Sequence, residues 1–190
     1  MTGQKISGPA LLMYILIFAA AVTSAVCFGL YYGGTTGHGA VLWTGVTAFM
    51  IVYHLWGRII MGNVTKLFKL NQDCWWFKEK KFEKRLYKWL RVKKWKGKAL
   101  TYNPELFSLK NYSLEEIVGT MTKAETDHWV NEVISLVSIL FSLLWGELWI
   151  FVATAVFAMI FDAQFIAIQR FNRPRIQRIL EMRRRRPVKC

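Results

Sequence analysis

The chain has 190 residues, 54% of them hydrophobic, and a formal net charge of +14. Greasy and basic residues in that proportion exclude an ordinary soluble domain and point to a small polytopic membrane protein. Nucleic-acid binding, the other common use of such charge, is set aside because the apolar residues come in blocks long enough to span a bilayer.

The first predicted element is a transmembrane helix over about residues 9–32. Thr23-Ser24-Ala25 resembles a signal-peptide cleavage site, but the apolar block is longer than a typical signal core, and Val26 before Cys27 is too bulky for a lipoprotein signal. The block is read as a retained span. A glycine-rich turn, GGTTGHG at Gly33–Gly39, leads to a second span at about 40–61, which ends in Tyr53-His54-Leu55-Trp56-Gly57-Arg58. A basic segment occupies about 66–120. A third span at 129–145, the short turn Gly146-Glu147 and a fourth span at 148–168 follow, and a basic tail fills 170–190. The expected fold is one all-α integral membrane domain with four transmembrane helices. Lys and Arg are missing from the two short turns and crowd the central segment and the tail, so both termini and that segment are expected on the cytoplasmic side of the cell membrane.

Within the basic segment, Trp75 to Trp95 reads as an interfacial amphipathic helix. Trp75, Phe82, Leu86, Trp89 and Leu90 recur at helical spacing, and nine Lys or Arg residues stand against only Glu79 and Glu83. Such a helix suits an anionic leaflet, either as a plain anchor or as a dock for an anionic lipid or acyl donor. Cys27, Cys74 and Cys190 are odd in number and irregularly spaced, which indicates neither a disulfide framework nor a zinc site.

The third span opens on MTKAETDHWVNEVIS, Met121 to Ser135. On a helix Glu125, His128 and Glu132 share a face, which Ser135 and Ser142 continue upward. Ionisable groups in a span cost at least ~2.5 kcal/mol each on insertion scales, so they face protein or a wet cavity. Thr122-x-x-Glu125 matches a capping box and gives Glu125 a purely structural alternative. It accounts for neither His128 nor Glu132. A carboxylate beside an imidazole fixes its tautomer and stabilises its charged form, as a general base requires. His54 and Arg58 lie toward the same end of the second span. A His/Glu metal site is conceivable, but no HExxH or comparable spacing supports it; with no serine elbow or HxxxxD signature either, any acyl transfer would be direct, with the acceptor activated by a base, rather than through an acyl-enzyme.

The fourth span repeats the pattern. Asp162 lies about two turns deeper than Arg170 and requires a partner, for which Arg58 and His54 are the candidates. Asn172 is a plausible helix cap ahead of Pro174, and Arg170, Arg173 and Arg175 serve as membrane anchors or as a grip on an acidic headgroup.

Three stretches together resemble the glycosyl-4,4'-diaponeurosporenoate acyltransferase family: AETDHW at Ala124–Trp129, IQRFNRPRI at Ile168–Ile176 and, in degenerate form, KKWKGKAL at Lys93–Leu100. Thr120-Met121, Lys123, Gly97 and Asp162 depart from the family's pattern, so a divergent member is implied. The resemblance implies a small bacterial membrane enzyme that moves a fatty acyl chain onto a lipid-linked sugar hydroxyl, here a hydroxyl or an amine. It carries Glu125 and His128 over as principal residues, with Asn172, Arg173 and Arg175 secondary.

The leading expectation is therefore a membrane acyltransferase. His128 is its base, Glu125 or Glu132 orients that base, and His54, Arg58, Asp162, Arg170, Asn172, Arg173 and Arg175 bind substrate. It needs no cofactor or metal, only an acyl donor: a phospholipid, acyl-coenzyme A or acyl-carrier protein. Its expected partners are membrane lipids and a lipid-linked acceptor, not nucleic acid, and the residues set no oligomeric state. The rival expectations are a different lipid-modifying enzyme, a non-catalytic lipid-binding or scaffold protein and, disfavoured by the lack of an internal repeat, a transporter or proton relay.

Overall fold

The charge-free stretch from Gly8 to Tyr32 forms helix α1, and its 25 residues give a length of about 38 Å, enough to cross a hydrocarbon core of ~30 Å. The structure is a computed structural model that describes residues 8–72, 74–99 and 104–185. Helix α2 follows at Gly39–Val64, then two short helices, α3 at Glu83–Trp89 and α4 at Val92–Trp95. Helix α5 spans Leu114–Val137 and passes through a tight 3-10 turn at Ser138–Phe141 into α6, Ser142–Trp145. Helix α7 runs from Leu148 to Arg185. Among the described residues there is no strand, and four helical stretches are long and apolar enough to cross a membrane. The fold is that of an all-α integral membrane protein.

Local chemistry sets the breaks. Gly34, at φ 75°, ends α1: the Thr35 amide reaches back to the Leu30 carbonyl at 3.1 Å and the Gly34 amide to Tyr31 at 3.4 Å. This is the paired closure that favours a glycine just past a helix end. Gly146, at φ 79°, makes the turn into α7. Helix α5 begins with a reciprocal capping box, in which the Glu116 amide donates to Ser113 Oγ at 3.2 Å and the Ser113 amide to the Glu116 carboxylate at 2.8 Å. The box at Thr122–Glu125 is not used, because the helix has already started at Leu114. Likewise Asn172 caps nothing: α7 continues through Pro174 to Arg185.

The interfacial segment also differs from a single helix. It is a 3-10 turn at Trp75–Phe77, α3, and α4, separated at Arg91, whose φ of 51° is left-handed. Its buried side carries Phe77, Glu83, Tyr87 and Val92, whereas Trp75, Phe82 and Trp89 are exposed at 70%, 64% and 78%. The aromatic stripe read from the sequence thus points away from the protein, as a membrane-facing stripe should.

The chain gathers into two compact units. The first comprises the chain through Asn63 together with Val130–Asp162. Its core is Leu42, Val46, Met50, Ile150 and Phe151, ringed by Phe28, Tyr53, Phe141 and Trp145. Helices α1 and α2 cross closely at Gly45, where an added Cβ would stand 3.0 Å from that of Cys27, and Ser24 donates to the Gly45 carbonyl at 3.1 Å. Close backbone approach at a small residue is the usual basis of helix association in lipid. The second unit comprises Val64–Trp129 and the chain from Ala163 onward, and its centre is ionic, as described next.

Candidate functional site

In the second unit Glu125, fully buried on α5, is gripped by two guanidinium groups of α7. Arg170 Nη1 donates to Oε1 at 2.7 Å and Arg173 Nη1 to Oε2. Arg170 then reaches the basic segment, where its Nε and Nη2 both donate to Glu83 Oε1, at 3.0 and 2.6 Å. The same guanidiniums donate to the carbonyls of Trp76, Phe77 and Lys78. Tyr87 completes the cage by donating to Glu83 Oε2 at 3.2 Å. Burial, and then the adjacent Glu83 carboxylate, push the Tyr87 phenol above its ordinary range. Two carboxylates and two guanidiniums, each with several hydrogen bonds, satisfy the condition under which buried charge is tolerated.

One turn from Glu125, the half-buried imidazole of His128 lies flat on Phe165, with ring centres 4.8 Å apart and planes 7° from parallel. Trp129 meets Trp76 edge-on at 5.4 Å. Nearby on α5, Lys123 pairs with Asp127 at 2.7 Å, and Thr65 donates to the same carboxylate. Asn172 accepts from Lys96 at 2.6 Å, and Arg175 lies 3.7 Å above the Phe171 ring. Burial and the charges of Arg175 and Lys93 push the Lys96 ammonium below its usual value.

The first unit holds a separate buried cluster. Asp162, fully buried, pairs with Arg58 and accepts from Asn131 at 3.4 Å. Arg58 also donates to the carbonyls of His54 at 2.9 Å and Ala158 at 3.3 Å. Buried Glu132 feels the charges of Asp162 and Arg58. His54 is 7% exposed, and its Nδ1 lies 3.5 Å from Ser135 Oγ, a long contact.

Of the sequence-predicted residues, Glu125, Arg170 and Arg173 meet in one cluster and His54, Arg58, Glu132 and Asp162 in another, while His128, Asn172 and Arg175 contact Phe165, Lys96 and Phe171. Glu83, Asn131 and Phe165 were missed. Glu83 carried a signal, as one of two acids in a run of cations; Asn131 and Phe165 carried none that spacing could separate from helix packing. Among the described residues no three His, Cys, Asp or Glu side chains converge as a metal site would require.

Four apolar helices, with a buried ionic cluster inside each unit, define a polytopic helical membrane protein. The family model of glycosyl-4,4'-diaponeurosporenoate acyltransferases matches residues 73–182, a stretch that contains Glu83, Glu125, His128, Asp162, Arg170 and Arg173. Proteins of that description from Staphylococcus aureus strains bovine RF122 / ET3-1, N315 and USA300 are 30% identical over 122 residues, 58% of this chain and 71% of each relative. No solved structure matches the chain. The chain belongs to the glycosyl-4,4'-diaponeurosporenoate acyltransferase family, and its enzyme class is that of a membrane acyltransferase.

Proposed function

We propose that this protein moves a fatty acyl chain onto a hydroxyl of a glycosylated, lipid-linked acceptor, with His128 as general base at the cytoplasmic face of the membrane. The observation that carries the proposal is the His128–Phe165 stack, one turn along α5 from the Glu125 cage. Stacking restrains the imidazole by its face, so its ring nitrogens work edge-on. The cage joins Arg170 and Arg173 of α7 to Glu125 of α5, and so holds the helices that carry Phe165 and His128. Glu125 is accordingly a positioning residue rather than one that touches substrate.

The reaction is a direct displacement. His128 accepts the acceptor hydroxyl's proton as that oxygen attacks the acyl carbonyl. The new ester forms as the bond to the donor's alcohol or thiol breaks, and the imidazolium returns its proton to that leaving group. The donor is a phospholipid, acyl-coenzyme A or acyl-carrier protein. The excess of Lys and Arg in the central segment and tail supports a cytoplasmic placement for that chemistry and for both termini.

Lipid mass spectrometry on host membranes tests this with wild type and His128→Ala at equal expression. An acylated glycolipid with wild type and none with His128→Ala is the expected result, and its mass identifies the acceptor. Equal amounts of product from both would remove His128 as the base.

A further inference from the structure

We propose that the face of α2 lined by Thr44, Thr47, Ile51, His54, Leu55 and Arg58 is the slot for the donor's acyl chain, entered sideways from the membrane by an ester lipid. Two cavities of the first unit carry the proposal. One, of about 560 Å3, lies between α1 and α2, and the other, of about 380 Å3, between α2 and α7. Thr47 and Ile51 line both, so the second continues the first along one side of α2. Positions 44, 47, 51, 54, 55 and 58 recur at the three- and four-residue spacing of a single helix face.

Length and chemistry both fit a hydrocarbon chain. From Thr47 to Arg58 the helix rises ~16 Å. That matches one leaflet's share, ~15 Å, of a bilayer's hydrocarbon core. The walls are apolar and open to lipid, with Ile51, Phe157 and Phe161 exposed at 41%, 75% and 43%. The end at Arg58 is different. His54 Nε2 and Arg58 Nε are buried and have no hydrogen-bond partner among the described residues. Buried polar atoms without partners are uncommon, and a guanidinium N–H can only donate. The missing partner is therefore an acceptor. Asp162 already balances the charge of Arg58, so the site suits a neutral acceptor, and the ester carbonyl oxygen of an acyl chain is one. The carbonyl sits against Arg58 and His54, and the chain runs along α2 toward Thr44.

The substrate named here rests on the acyl-transfer reading above, while the lipid slot stands on its own geometry. Its test uses the full chain in nanodiscs that contain a phospholipid with a photoreactive diazirine at the end of one acyl chain. Cross-links are mapped by peptide mass spectrometry, and the chain lengths of any acylated product are read in parallel. Ala19→Phe and Thr44→Phe fill the upper cavity at exposed positions, so neither overpacks the core; Ile15→Phe, on the same helix as Ala19 but outside the cavity, is the control. The expected result is labelling concentrated on the α2 stripe, lost in both filled variants and kept in the control, with product shifted to shorter chains. Labelling spread evenly over the lipid-facing helices, or unchanged in the filled variants, overturns the slot. Groove labelling without product from any donor sustains the slot and removes acyl transfer. Product with unaltered chain lengths in both filled variants removes the slot and sustains acyl transfer.

Discussion

Glu125→Gln keeps the shape of the side chain and deletes its charge. Both carboxylate oxygens of Glu125 are engaged by guanidiniums, and the residue is fully buried. Breaking a buried ion pair from one side costs about 3–5 kcal/mol, because the partner charge is left uncompensated. Arg170 retains Glu83, and Arg173 retains the Phe77 carbonyl and its place over the Phe77 ring, so the lower end, about 3 kcal/mol, is expected. In a chain of this size 1 kcal/mol shifts Tm by about 2–4 °C, which gives a fall of about 6–12 °C. Tryptophan fluorescence of detergent-solubilised protein during a thermal ramp measures it. The double variant Glu125→Leu/Arg173→Met removes both charges of one pair, and it should lie closer to wild type than Arg173 left facing an amide. A fall below about 3 °C for Glu125→Gln, or a double variant worse than the single, would refute the cage as the organising feature of the second unit.

Three further outcomes follow from the same geometry. In Asp162→Asn, Arg58 loses its buried counter-charge, with a cost of about 3 kcal/mol that adding Arg58→Met should largely restore, again read as Tm. The raised Tyr87 phenol favours the protonated folded state, so its contribution is complete below the ordinary tyrosine value of about 10 and is lost as pH rises through the raised one. The Tm of wild type should therefore fall more steeply above about pH 10 than that of Tyr87→Phe, and identical slopes would refute the assignment. Ser113→Ala removes half of the capping box at α5 and should cost about 1 kcal/mol, seen as faster amide exchange over the first turn of that helix.

The spans were legible because a bilayer permits little else: a run of some 20 apolar residues has one folded solution there. The Arg58–Asp162 pair was legible for the same reason, since a carboxylate two turns inside an apolar helix has to find a cation. What misled was local signal without context. Thr122-x-x-Glu125 is a sound capping box, but Ser113 and Glu116 offered another earlier in the chain, and the helix began there. Asn172 and Pro174 look like a helix start, yet Pro174 is accommodated inside α7. The division of the polar stripe was not legible at all. Glu125 and Glu132 share a face of one helix, but Glu125 is bound by arginines from 45 and 48 residues away, and Glu132 lies in the other unit. Periodicity assigns a face; it does not say which distant side chains will meet it.

The order in which the cage is made during synthesis has a consequence for an unfinished chain. Glu83 emerges first and Glu125 next, and the arginine that binds both is 87 residues behind Glu83. At bacterial and eukaryotic elongation rates of about 5–20 residues per second, that interval lasts about 4–17 s. Until Arg170 arrives, two carboxylates wait at the membrane with no guanidinium to close the cage. A chain that stops short of α7 never leaves that condition, and its Glu83 and Glu125 stay without the arginines that bind them in the finished protein.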